Sequence, residues 1–162
     1  MNFNQSSYRI LLDKIIICAI AIVIAALSLV PAAGATTQEL QLKSQKGYVV
    51  RTLFSYDSQT SEAIAEHGAG KSQAVDSLKV SFYEPTGKAI ASYDNIVDGM
   101  VRGEYIEFNY DPATKQLQGV IDLGGESTGE MYLKGQADGE LSLIQINESG
   151  EEEVIDRIES DR

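Results

Sequence analysis

The chain has 162 residues, and its 24 acidic residues against 13 Lys and Arg leave a formal net charge of −11. Phosphate groups would be repelled by this charge, so nucleic acids and anionic lipid surfaces are poor partners. The acids are concentrated after residue 97, whereas residues 36–97 are almost neutral. An acidic surface keeps an exported protein soluble, and cations or a basic partner remain compatible with it.

The first 35 residues have the pattern of a secretory signal peptide. Basic residues precede an uncharged apolar stretch at 15–30, which is followed by Pro31 and a triplet of small residues at 33–35. These three parts predict cleavage after Ala35. The alternative is an uncleaved anchor, because the apolar stretch approaches the length of a spanning helix. The remainder is expected outside the cytoplasm in either case, periplasmic or extracellular, or anchored and facing outside.

Residues 36–162 have the size of a single domain. Within them we expect a flexible polar lead-in at 36–46 and one β domain at 47–160. Cys18 is the only cysteine and lies in the apolar stretch, so the domain cannot form a disulfide. With one histidine and no cysteine, the domain lacks the ligands of the usual zinc and copper sites.

From Gly47 onward, runs rich in Val, Ile, Tyr, Phe and Leu recur about every ten to twelve residues, each closed by turn residues, as in all-β folds. Side chains alternate along these runs, so that Leu78, Val80 and Phe82 share one face of a strand. The sequence therefore predicts eight strands, at 48–57, 77–84, 89–97, 103–111, 117–123, 130–135, 140–147 and 153–159.

Most connections between these runs are short and contain Asp, Pro, Gly or Ser, which predicts an antiparallel meander. We favour an up-and-down barrel over a two-sheet sandwich, because closure removes exposed strand edges. The last run could instead open a helix behind a capping box at Ser149 and Glu152. The one long connection lies between Asp57 and Asp76, and its stretch SEAIAEHG is expected to form one or two helical turns.

That connection contains AEHGAGKS at residues 65–72, which fits a relaxed phosphate-binding loop pattern. Such a loop needs a strand before its glycines and a helix at its Lys-Ser. The predicted order here is the reverse, so nucleotide binding is not expected. A covering loop over one end of the barrel is expected instead, which involves His67, Gly68, Gly70 and Lys71.

Two further patterns resemble known sites without their context. Residues 125–129 have the G-x-S-x-G form of a hydrolase nucleophile elbow, but no helix and no histidine follow. Asp94, Asn95 and Asp98 are weak calcium candidates, because calcium takes oxygen ligands, yet they lack EF-hand spacing and suit a turn equally well. No cofactor is expected.

Tyrosines and carboxylates are the remaining candidate functional groups. Tyrosines on the inside of a closed sheet could line a cavity for a small amphipathic ligand, although ordinary packing explains them equally well. The candidate lining residues are Tyr93, Tyr105, Tyr110 and Tyr132. Paired carboxylates can cleave glycosidic bonds. The carboxylates on adjacent predicted strands are Glu104, Glu107, Asp111, Asp122 and Glu126.

The stretch VSFYEPTGKAIASYDNIVDG, followed by EFNYDPATKQLQGVIDLGGE, resembles small exported β-rich proteins of unknown function of a cyanobacterial type. The resemblance implies export and a β fold, and it transfers no functional residue. We therefore expect an exported, non-enzymatic β domain that binds a small ligand or an envelope partner. A carboxylate-based enzyme acting on glycans and a structural envelope or matrix protein stay open as alternatives.

Overall fold

Alternating polar and apolar residues build thirteen strands and no helix in the computed structural model, within the residues that the structure describes, 34–60 and 62–159. Residues 1–33 of the predicted signal peptide, with Cys18, lie outside that range. The all-β prediction is confirmed. In chain order the strands are β1 (Ala35–Lys43), β2 (Val49–Asp57), β3 (Ile64–His67), β4 (Gly70–Lys71), β5 (Val75–Tyr83), β6 (Ala89–Val97), β7 (Met100–Val101), β8 (Glu107–Asp111), β9 (Gln116–Leu117), β10 (Val120–Gly124), β11 (Met131–Gln136), β12 (Glu140–Ile146) and β13 (Glu152–Glu159).

The strands form two antiparallel sheets. Sheet 1 has the order β1-β2-β5-β6-β7-β4. Sheet 2 has the order β13-β12-β11-β10-β8-β3, and β9 pairs with the end of β8. Successive strands are neighbours over most of both sheets, as the short turns predicted. The chain therefore forms one meander in each sheet.

The predicted up-and-down barrel is wrong, because the two sheets are not joined into one closed ladder. The turn after β1 approaches β13 through isolated contacts, with the Gln45 N–H donating to the Arg157 carbonyl at 3.0 Å and the Lys46 N–H to Asp156 Oδ2 at 2.7 Å. Each sheet is apolar on one side. Two such faces bury each other without closing, which is the two-sheet alternative.

The core lies between the two apolar faces. Phe54 of β2 meets Phe108 and Tyr110 of β8 with ring centroids 4.9 and 4.7 Å apart. Leu78, Leu133 and other buried residues of both sheets belong to the same hydrophobic cluster. Burial of these side chains is the main stabilising contribution, since the domain has no disulfide.

The flexible lead-in expected at 36–46 is a strand over most of its length. β1 pairs with β2 without a register shift, from Ala35 opposite Asp57 to Lys43 opposite Val49. Leu40 and Leu42 alternate with Gln41 and pack against the core cluster. Their burial stabilises a segment whose overall composition is polar.

The helical turns expected near His67 are also wrong. Ile64 and Glu66 are buried while Ala65 and His67 are exposed, which is the period of a strand. β3 pairs with β8 in sheet 2, whereas β4 pairs with β7 in sheet 1. The long connection therefore crosses from one sheet to the other.

The other predicted runs match strands to within a few residues, with two exceptions. Residues 103–106 of the run at 103–111 lie outside a strand, and the run at 117–123 is interrupted at residues 118–119, between β9 and β10. The run at 153–159 is strand β13 rather than a helix. The sequence did not predict the two-residue strands β4 and β7.

Candidate functional site

A half-open cleft of about 880 Å³ lies between β1 and one end of sheet 2. Its apolar wall combines the half-buried Leu40 and Leu42 of β1 with Leu117 of β9. Leu141 of β12 and Ile158 of β13 form its deeper part and are 4% and 5% exposed. The cleft volume is within the range of about 300–1,000 Å³ that small-molecule sites occupy.

Two lysines are among the residues that line this cleft. Lys43 ends β1, and Lys115 precedes β9. Both are exposed, and neither forms an ion pair with a described carboxylate. Asp138 is the single acid in the lining. The cleft thus carries a local positive excess on a chain whose net charge is −11.

The turn between β8 and β9 holds Lys115 in an unusual backbone conformation. Asp111 Oδ1 accepts the Ala113 N–H at 2.8 Å, and the Lys115 N–H donates to the Asp111 carbonyl at 2.8 Å. These bonds place Lys115 in the left-handed region with φ at 59°. Glycine or asparagine adopts that region at lower cost, so the lysine is not explained by the turn alone.

Comparison with protein-family models, curated proteins and solved structures found no match. Within residues 34–60 and 62–159 there is no helix long and apolar enough to cross a membrane.

None of the four candidate tyrosines lines the cleft beside β1. Tyr110 is fully buried in the core, where burial and then the neighbouring Tyr56 phenol raise its pKa to about 12. Tyr132 is buried in sheet 2, and burial raises the pKa of its phenol as well. Tyr105 lies outside a strand and is 67% exposed. The structure therefore does not bring these side chains together.

The fourth, Tyr93, lines a shallow groove of about 370 Å³ where β6 meets β10 of the other sheet. Its hydroxyl accepts the Met131 N–H at 3.0 Å, and burial raises its pKa. Beside it, Asn95 is turned inward at a register shift between β5 and β6 and donates Nδ2 to the Gly124 carbonyl at 2.8 Å. Tyr93 and Asn95 thus connect sheet 1 to sheet 2.

The weak calcium candidates have separate surroundings. Asp94 pairs with Lys79 at 3.3 Å, and Asn95 makes the contact between the sheets just described. Asp98 occupies a tight turn with φ at 51°. No group of three or more His, Cys, Asp and Glu side chains in the described ranges could hold a metal ion.

His67 lies on the outer face of sheet 2 and contacts Glu107, directly opposite on β8, through its Nδ1 atom. Glu107 is in turn opposite Asp122, whose carboxylate is 3.4 Å from the Lys134 amine. Burial raises the pKa of Asp122, and the Lys134 charge offsets part of this rise. Gly68, Gly70 and Lys71 continue from His67 to the edge of sheet 1.

Two of the remaining candidate carboxylates, Glu126 and Asp111, hold backbone groups. Glu126 accepts the N–H groups of Glu104 and Tyr105 at 2.8 and 2.9 Å. Asp111 holds its own turn, and hydrogen bonds from Ala113 and Thr114 lower its pKa. In the G-x-S-x-G stretch the Ser127 N–H donates to Glu130 Oε2 at 2.8 Å, which fixes a loop between two strands. These contacts are structural.

Sequence reasoning missed the cleft residues. Leu40 and Leu42 fall within the lead-in expected at 36–46, and Leu117 falls within the strand predicted at 117–123. The missed signal was the alternation of ELQLK at residues 39–43, which continues the pattern of the predicted strands toward the amino end. Lys115 carried no recognisable signal, because its left-handed backbone depends on the folded turn.

Proposed function

We propose that this protein is an exported, non-enzymatic binding domain and that the cleft beside β1 holds a small amphipathic ligand with an anionic head group. One observation carries the proposal: the cleft has an apolar wall and two lysines without ion-pair partners among the described residues. Apolar walls with a few placed polar groups are the usual composition of ligand sites. Export rests on the signal-peptide pattern of the first 35 residues.

The apolar part of the ligand would displace water from Leu40, Leu42 and Leu117. The gain is about 25 cal/mol for each Å² of apolar surface removed from water. The head group would remain beside the two exposed lysines, where a carboxylate or sulfonate accepts charge-assisted hydrogen bonds from Lys115 or Lys43. A ligand with a neutral head group would lack the charged hydrogen bond but would keep the apolar contact with the leucines.

A non-enzymatic role is supported by the roles of the acidic side chains. Glu126 and Asp111 hold backbone N–H groups, and Asp122 is bridged by Lys134. Glu107 and His67 form a pair on the outer face of sheet 2, and neither belongs to the residues that line the cleft. The glycan-acting alternative therefore depends on Glu107 and Asp122, which are opposite each other.

The test compares the binding of two amphiphiles that differ only in the head group. The full chain is expressed, the form of the protein that accumulates is purified, and its two termini are identified by intact mass spectrometry. A long-chain carboxylate below its micelle concentration is expected to bind about fivefold to tenfold more tightly than the alcohol of the same length. Lys115→Asn should reduce this difference, with Lys43 still present, and leave alcohol binding unchanged. Asparagine also suits the left-handed backbone, so stability should not fall.

The matched control is Lys71→Asn, an exposed lysine of β4 outside the cleft lining, which should leave both affinities unchanged. The measurement is isothermal titration calorimetry at low salt, repeated at high salt, where the carboxylate advantage should shrink. The proposal fails if neither amphiphile binds, or if Lys71→Asn and Lys115→Asn have the same effect.

A further inference from the structure

β1 presents its backbone at the open end of sheet 1. It pairs with β2 along its whole length and begins the strand order, so its other side has no partner strand among the described residues. The bonds Ser44 N–H to Tyr48 carbonyl and Ser58 N–H to Gly34 carbonyl show that even-numbered residues of this strand face β2. Because bonding directions alternate, the backbone groups of Glu39, Gln41 and Lys43 point away from the sheet.

This edge lacks the usual protection against strand pairing. Natural edges are guarded by proline, bulges, short length or several charges. β1 is nine residues long, has no proline and pairs without a register shift, and its only charged residues are Glu39 and Lys43. The side chains of Leu40 and Leu42 on its inner side are incompletely buried.

The sequence of this edge is self-complementary about Gln41. In an antiparallel pair of two copies with the two-fold axis at Gln41, Glu39 of each copy lies opposite Lys43 of the other. Leu40 lies opposite Leu42, and Gln41 lies opposite itself. Opposed residues of opposite charge stabilise a strand pair, and the paired apolar side chains cover each other. This register also matches the outward-facing backbone groups.

Registers centred on either charged residue of β1 are less favourable. An axis at Glu39 would place that carboxylate directly against its copy, and like charges directly opposite destabilise a strand pair. An axis at Lys43 would oppose two ammonium groups and extend the pairing into the turn at residues 44–47, where the Gln45 N–H already donates to Arg157. The Gln41 register avoids both problems.

We infer that two copies of this chain associate through β1, in an isologous antiparallel pair centred on Gln41 that joins their first sheets. The pair would form about six backbone hydrogen bonds, two for each bonded residue pair. It would also bring the Leu40 and Leu42 side chains of both copies together at the seam. This inference goes beyond the proposed function and does not require a ligand.

The test is the mass in solution, measured by sedimentation velocity over about a hundredfold range of concentration. The unaltered protein should shift from monomer to dimer across that range. Glu39→Lys and Lys43→Glu should each weaken the dimer by about tenfold, because both exchange two attractive contacts for two repulsive ones. The double variant should restore the dimer, since the charges again oppose their complements.

Two controls complete the design. Lys71→Glu removes a positive charge from the opposite edge of sheet 1 and should leave the dimer unchanged. Mixing the unaltered protein with the double variant should yield no mixed dimers, because like charges would then face each other. A monomer at every concentration, a double variant that stays monomeric, or free mixing would overturn the inference. Ligand binding is a separate readout, so either proposal can fail alone.

Discussion

At the residue scale, Glu66 has a role in the structure that its sequence motif does not predict. It lies in the phosphate-loop-like stretch AEHGAGKS, yet it is 2% exposed. Its carboxylate accepts the Ser72 hydroxyl at 2.8 Å and the Ala74 N–H at 2.7 Å, and further N–H groups of the following residues also donate to it. The glycines, Lys71 and Ser72 therefore belong to a loop that is organised around Glu66.

Glu66→Ala should lower the free energy of unfolding by about 2–4 kcal/mol, because it leaves several buried donors without an acceptor. Urea denaturation monitored by circular dichroism is the measurement. Glu62→Ala, at an exposed position of the same connection, should change stability by no more than about 0.5 kcal/mol. Equal effects of the two substitutions would show that the buried contacts contribute little.

The tyrosines show the same limit of residue-level reasoning. Tyr105 and Tyr110 both fall in the predicted strand 103–111, but Tyr105 is exposed and Tyr110 is in the core. Strand alternation alone separates odd from even positions, and it does not identify which face meets the second sheet. The cleft lysines were missed because isolated surface charges carry no pattern.

At the element scale, β1 is the principal difference from expectation. Its residues are mainly Thr, Gln and Glu, and only Leu40 and Leu42 mark an inner face. Two apolar positions predict a strand weakly, and pairing with β2 supplies the rest of the stabilisation by satisfying one side of its backbone. A strand at this position also creates one wall of the cleft and the open edge.

Hydrogen exchange followed by NMR should distinguish β1 from a flexible lead-in. In dilute protein, the N–H groups of Gln38, Leu40 and Leu42 should exchange slowly, since they face β2. Those of Glu39 and Gln41 should exchange faster. Uniformly fast exchange across residues 36–43 would show that this segment is a flexible lead-in and not a strand. Uniformly slow exchange in the monomer would contradict the open edge of β1.

β3 and β4 illustrate a second effect at this scale. The helical turns predicted near His67 followed from local spacing and a glycine, whereas the strands are stabilised by partners distant in sequence, β8 and β7. Short segments have weak intrinsic preferences, so the tertiary partner determines their conformation.

At the scale of the whole molecule, the preference for a closed barrel failed because both sheets are one-sided. Phe54, Phe108 and Tyr110 form edge contacts across the space between the sheets. Because these rings from the two sheets bury one another, the core is filled although the edge strands of the two sheets do not pair with each other. The ligand-binding proposal consequently rests on a cleft at the side of the core.

Phe54→Ala should cost about 3–5 kcal/mol of unfolding free energy, because it removes a fully buried ring shared by both sheets. Leu53→Ala, the adjacent residue, which is 36% exposed, should cost about 1 kcal/mol or less. Thermal unfolding of both variants by calorimetry is the measurement. Similar losses would mean that the two sheets contribute little to each other's stability.

The sequence was sufficient for the all-β class, for most of the longer strands and for the short turns between them, because alternation and turn chemistry act between residues close along the chain. It was also sufficient to show the acidic net charge and the lack of a disulfide in residues 36–162. The separation into two sheets, the strand character of 35–43 and the placement of Lys115 in one cleft with Leu40 and Leu42 depend on contacts between distant residues. Such contacts follow from the packing of the two apolar faces, and local patterns do not encode them.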